Sequence, residues 1–104
     1  EISLFTVNDE ISPLEPRSYP LQGYTGERFV IEVEAANGSG LDTLVELVTA
    51  EGVVFATDDD SGGDLNPRLM TALPANGLYQ VRVSVYNDGN NTGGSFTLRV
   101  RRGY

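Results

Sequence analysis

Residues 42–85 decide the fold: DTLVELVTAEGVVFATDDDSGGDLNPRLMTALPANGLYQVRVSV. Tyr79, Val81, Val83 and Val85 alternate with polar residues over a full strand length, the period of two that buries one face of a β-strand. Val45 and Leu47 begin the same pattern earlier in the stretch, and Val54 and Ala56 repeat it after the Ala50-Glu51-Gly52 connection. Asp58, Asp59 and Asp60 then end the second strand, because adjacent carboxylates repel and fit poorly inside a sheet. Ser61, Gly62 and Gly63 supply turn chemistry immediately afterwards, so the acids are displayed at one end of the fold.

Working outward, Phe29, Ile31, Val33 and Ala35 alternate with Arg28, Glu32 and Glu34, which reads as a half-buried antiparallel strand ending at the Asn37-Gly38-Ser39-Gly40 turn. Residues 2–7 form a first strand. The following NDEISPLEP reads as a turn or sheet edge, since Pro13 and Pro16 cannot donate ladder hydrogen bonds. Tyr19 and Leu21 make a short second strand with Pro20 at its edge. Leu69, Thr71 and Leu73 face inward before the Pro74-Ala75-Asn76-Gly77 turn, and Phe96, Leu98 and Val100 close the domain after a polar loop over residues 87–94. No helical periodicity competes. About seven or eight short strands separated by Gly, Pro, Asn and Asp turns predict an all-β, antiparallel, jelly-roll-like sandwich of two sheets. An immunoglobulin domain is the nearest competitor, but the Cys pair and buried Trp that mark it are absent from the sequence.

Composition narrows function. The 104 residues make one domain, with no Cys for disulfides or thiolate metal sites and no His for triads, zinc ligation or neutral-pH base catalysis. All seven basic residues are Arg; with fifteen acids the net charge is −8, which opposes binding to nucleic acid or to an anionic membrane and favours cations or basic surfaces. No apolar run approaches the roughly 20 residues of a membrane span. The chain opens at Glu1 without Met, as a mature or excised segment would.

The acidic run has two readings. Calcium takes six to eight oxygens at roughly 2.3–2.6 Å, and a cage built from Asp58, Asp60 and Asp64, joined by Asp42 or Asp88, makes Ca2+ the expected cofactor. An EF-hand is excluded, since Leu69 stands where its bidentate Glu belongs and strands replace the flanking helices. The other reading is a solvated turn in which Ser61 and Asn66 close local hydrogen bonds. Paired carboxylates such as Asp58 and Asp60 lie in one polar turn without the pocket that would raise an acid's pKa, so an enzyme is not expected. Arg28, Arg82, Arg99 and Arg101 are expected to pair with Glu32, Glu34 or Glu46 on outer sheet faces. Tyr24, Tyr86 and Tyr104 are candidates for an aromatic surface, with Tyr79 in the core.

From about Tyr19 to Val100 the residues also resemble a known family, the bacterial pre-peptidase C-terminal domain. The likeness lies in Asp42-Thr43-Leu44-Val45-Glu46-Leu47, in Gly52-Val53-Val54-Phe55-Ala56-Thr57-Asp58-Asp59-Asp60, in Leu73-Pro74-Ala75-Asn76-Gly77-Leu78-Tyr79-Gln80-Val81-Arg82-Val83 and in Gly94-Ser95-Phe96-Thr97-Leu98-Arg99-Val100. Phe96 stands where that family more often has Tyr. The resemblance implies a non-catalytic accessory domain of an exported, peptidase-associated protein, extracellular, at the cell surface or in the periplasm, assisting folding, secretion or substrate capture. Its partners would be a neighbouring domain or a protein substrate, and some such domains bind calcium. The competing expectation is a carbohydrate-binding or adhesive sandwich, which would need an exposed aromatic patch.

Overall fold

The computed structural model describes residues 2–38, 40–59, 61–63, 66–86 and 93–103. Its eight strands are β1 (Ile2–Ile11), β2 (Arg17–Gly23), β3 (Arg28–Ala35), β4 (Thr43–Val48), β5 (Val54–Asp58), β6 (Arg68–Ala72), β7 (Gly77–Val85) and β8 (Gly94–Arg102). They form two four-stranded antiparallel sheets, in the orders β1-β8-β3-β6 and β2-β7-β4-β5. Strands pair first with last, second with seventh, third with sixth and fourth with fifth. The chain is therefore one long hairpin folded over on itself, a jelly roll, with its tip at the β4–β5 turn. At that tip Gly52 takes the left-handed conformation (φ 86°), and its N–H donates to the Thr49 carbonyl at 2.9 Å.

The alternating positions meet between the sheets. Phe29, Ile31 and Val33 from β3 and Leu98 and Val100 from β8 pack against Val45 and Leu47 from β4 and Tyr79, Val81 and Val83 from β7. Because the side-chain period is two, these buried positions fix the register: a one-residue slip would turn the whole set to solvent. Intervening positions face out and carry charge. Arg82 pairs with Glu46 at 2.8 Å, Arg99 with Glu34 at 3.3 Å, and Arg101 and Arg68 both reach Glu32.

Of the two readings of the stretch after residue 7, residues 8–11 take the sheet edge and not the turn: β1 runs on to Ile11, paired with β8 through Asn8↔Thr97 and Asp9↔Phe96. The polar side chains are accommodated because β1 is an edge strand, where Asn8 Oδ1 accepts a 2.7 Å hydrogen bond from the Thr97 hydroxyl. Val54 does not point inward with Ala56. The β4–β5 register shifts between Leu47 and Val48, and this bulge leaves both Val54 and Phe55 exposed.

Candidate functional site

Each open side of the sandwich is bridged by an aspartate. On the first, Asp9 of β1 lies on the inward side of its strand, and one of its carboxylate oxygens accepts a 2.7 Å hydrogen bond from the Tyr19 hydroxyl of β2 in the opposite sheet. The Glu10 N–H donates to its other oxygen at 2.8 Å, and Arg17 Nε stands 3.9 Å away while donating to the Glu10 carbonyl at 2.8 Å. The Tyr19 hydroxyl first, then the Glu10 N–H, hold the Asp9 carboxyl below the usual carboxylate range, opposed by partial burial and helped by Arg17. Burial, followed by the hydrogen bond to Asp9, pushes the Tyr19 phenol well above its ordinary value.

On the second side, Asp58 ends β5. One of its oxygens accepts from the Arg68 N–H of β6, in the opposite sheet, at 2.8 Å and from the Ser61 N–H at 3.1 Å; the other accepts from the Ser61 hydroxyl at 2.5 Å. The loop behind it is closed by paired backbone bonds, Gly62 N–H to the Asn66 carbonyl at 2.8 Å and Asn66 N–H to the Gly63 carbonyl at 2.9 Å. The Asn66 side chain accepts from the Ala35 N–H at 3.0 Å, which docks the loop on the end of β3. A Cβ on Gly62 would stand 2.8 Å from the Asn66 carbonyl oxygen, so this closure requires glycine there.

The five acids expected to hold calcium divide accordingly. Asp42 precedes β4 and its carbonyl accepts from the Tyr86 N–H at 2.8 Å, while Asp58 is the strut just described. Asp60, Asp64 and Asp88 lie outside the described residues. Among the described residues no three acids converge on one point. With two lone pairs per oxygen, the Asp58 oxygen facing Arg68 is filled by its two donors and its partner keeps one site open. Asp58 can thus give a cation a single further bond; the described residues supply a strut and not a cage. Thr43, fully buried between the sheets at that end, has a hydroxyl with no hydrogen-bond partner among the described residues.

A broad depression of about 640 Å³ opens beside the first bridge, lined by Asn8, Asp9, Glu10, Arg17, Glu34 and Thr97 among others. It brings carboxylates together, the arrangement an acid–base enzyme would need. Yet Asp9 is held ionised by its donors, and Glu34 is paired with Arg99 across the sheet. A general acid needs a raised carboxyl, and that of Asp9 is lowered.

Of the three tyrosines expected to make an aromatic surface, Tyr104 lies outside the described residues, and the other two do not come together. Tyr24 and Tyr86 are both exposed, but Tyr24 follows β2 beside the start of β7 and Tyr86 follows its end. At about 3.3 Å per residue the length of β7 separates them by roughly 30 Å. Tyr19, passed over as a short strand residue, holds the first bridge. Its only sequence signal was an aromatic on an edge strand beside Pro20.

No family model and no curated sequence matches the chain. Solved structures share its fold. PliG of Aeromonas hydrophila, a periplasmic inhibitor of g-type lysozyme, superposes with a TM-score of 0.73 at 14% identity, over 95% of this chain and 85% of that one. The pre-peptidase C-terminal domain of a Bacillus anthracis collagenase superposes with a TM-score of 0.72 at 16% identity, over 96% and 90%. PliG of Salmonella Typhimurium gives 0.62 at 17% identity, over 95% and 90%. At these identities the likeness establishes the sandwich fold that both kinds of protein use.

Proposed function

We propose that this chain is a non-catalytic, protein-binding β-sandwich of an exported bacterial protein, working beside a peptidase as an aid to folding, secretion or substrate capture. The observation that carries the reading is an exposed, uncharged stretch at a strand edge, Val53 to Thr57, on a molecule whose Asp9 and Asp58 serve as struts and whose Glu34 and Glu46 are held in ion pairs. The shared fold supports it, since one protein that uses this sandwich inhibits an enzyme and another is a domain of one. The separation of Tyr24 from Tyr86 weighs against the carbohydrate-binding alternative. The test compares the parent protein with a version lacking residues 1–104 for secretion yield, peptidase turnover and attachment to polymeric protein or carbohydrate. Loss of secretion or protein attachment supports the reading. Hydrolysis of a peptide by the isolated chain, or strong carbohydrate binding that depends on its tyrosines, rejects it.

Structural calcium is a second proposal. Asp42, Asp60, Asp64 and Asp88 would provide most of its oxygens and Asp58 the one acceptor site its strut leaves free. Saturable binding of millimolar calcium by the metal-stripped chain, with a rise in melting temperature, supports it. Absence of both rejects it.

A further inference from the structure

A jelly roll of two open sheets has four edge strands, and three of these are blunted. β1 carries a register shift between Ser3 and Phe5 and an inward-facing Asp9; β2 carries Pro20, which has no N–H, and Arg17; β6 is five residues long, follows Pro67 and opens on Arg68. β5 shares the five-residue length of β6 and has a bulge of its own, but it carries no proline and its single charge, Asp58, stands at its last position. From Gly52 to Thr57 it is uncharged, and Val53, Val54 and Phe55 are 60%, 41% and 40% exposed. Among the described residues the strand order leaves its outer edge without a neighbouring strand. On the same outward face the register sets Val48 beside Val54, and Leu78, also exposed, lies two residues along β7 from the Gln80 that pairs with Val48.

Charge selects the occupant. Glu51 stands at one end of the apolar stretch and Asp58 and Asp59 at the other. If a second copy paired antiparallel about Phe55, Glu51 of each would face Asp59 of the other, so both ends of the new ladder would oppose like charges on a chain already at −8. A partner with basic ends would meet opposite charge at both. We infer that the free edge of β5 takes, by strand addition, an extended segment of a partner protein with an uncharged, β-branched centre and basic residues at both ends. This deepens the protein-binding reading above and rests on it. The nine residues from Glu51 to Asp59 make eight steps of about 3.3 Å, roughly 27 Å if extended, so the basic residues of the segment stand about eight apart.

The probe is a synthetic peptide, acetyl-KRVTVTVRK-amide, titrated into the isotopically labelled chain. Saturable binding with backbone amide shifts confined to β5 and its flanks is expected, weakened at least tenfold by Phe55→Lys and unchanged by Leu14→Lys, which adds the same charge in the β1–β2 turn. Should Phe55→Lys fail to fold, Val53→Lys at the more exposed position replaces it. No saturation at millimolar peptide overturns the inference. So do equal binding of acetyl-EEVTVTVEE-amide, shifts centred on another edge, or self-association of the free chain in sedimentation. If a protein partner of the parent binds the Phe55→Lys chain as well as the unaltered one, the strand-addition site fails while the protein-binding reading stands. If neither binds, both fail.

Discussion

Replacing Asp58 with Ala separates its two roles by the sign of the effect. As a strut, its carboxylate accepts from Ser61 and from the Arg68 N–H and so ties the end of β5 to β6 across the open side. Hydrogen bonds to charged groups contribute about 1.5–3 kcal/mol each when buried, and much less where water competes, as it does here. With three bonds of roughly 0.5 kcal/mol each, the expected loss is about 1–2 kcal/mol. For a domain of this size that lowers the melting temperature by roughly 5–15 °C. As a metal ligand alone, the same carboxylate would only repel Asp59 when metal is absent, and removing it would be neutral or stabilising.

The assay is thermal unfolding followed by circular dichroism, in EDTA and again in millimolar calcium, with Asp59→Ala as the control. Asp59 accepts no hydrogen bond from a described residue, so its removal takes away the same charge without a strut. Asp58→Ala is expected to fall in EDTA while Asp59→Ala stays within about 0.5 kcal/mol of the unaltered chain. An Asp58→Ala chain as stable in EDTA as the original would refute the strut. A calcium-induced rise that disappears in Asp58→Ala would add a metal bond to it.

Other outcomes follow from the same geometry. Val81→Asp puts an unpaired carboxylate at a fully buried position and is expected to cost several kcal/mol, enough to abolish cooperative urea unfolding, whereas Arg82→Gln, which gives up a partly buried pair with Glu46 on the outer face, should cost about 1 kcal/mol. Equal effects would show that the strand face is misassigned. The depressed Asp9 carboxyl stabilises the fold above its unfolded-state value near pH 4 and loses that contribution as pH falls through the lower folded value. Tyr19→Phe removes its largest stabilising donor, so acid unfolding of the variant should begin from lower stability and fall less steeply below pH 4; an unchanged slope there counts against the bridge. Glu27, held down by Arg102 and the Tyr24 N–H, acts in the same direction, and Arg102→Gln should flatten the acid limb further.

What was legible in the sequence was whatever has a period. Alternation in 79–85, 28–35 and 43–48 named the buried face of three strands, and the core follows those residues closely. Paired charges were legible for the same reason, because residues that alternate outward on neighbouring strands meet whatever the connections are. Closure across the open sides was not. Asp9 and Tyr19 are ten residues apart, as are Asp58 and Arg68, but each pair joins opposite sheets, and only the folded-over hairpin brings edge strands together in that way. The sequence pattern thus gave no sign that a carboxylate at a strand end accepts from the backbone of the other sheet. The bulge hid the second feature: a strict period of two assigns Val54 to the core, and one extra residue opposite Val48 turns Val54 and Phe55 out together. One unpaired residue in the ladder turns apolar side chains of an edge strand from the core to solvent, and it is at such aperiodic points that this fold carries its candidate contacts with other molecules.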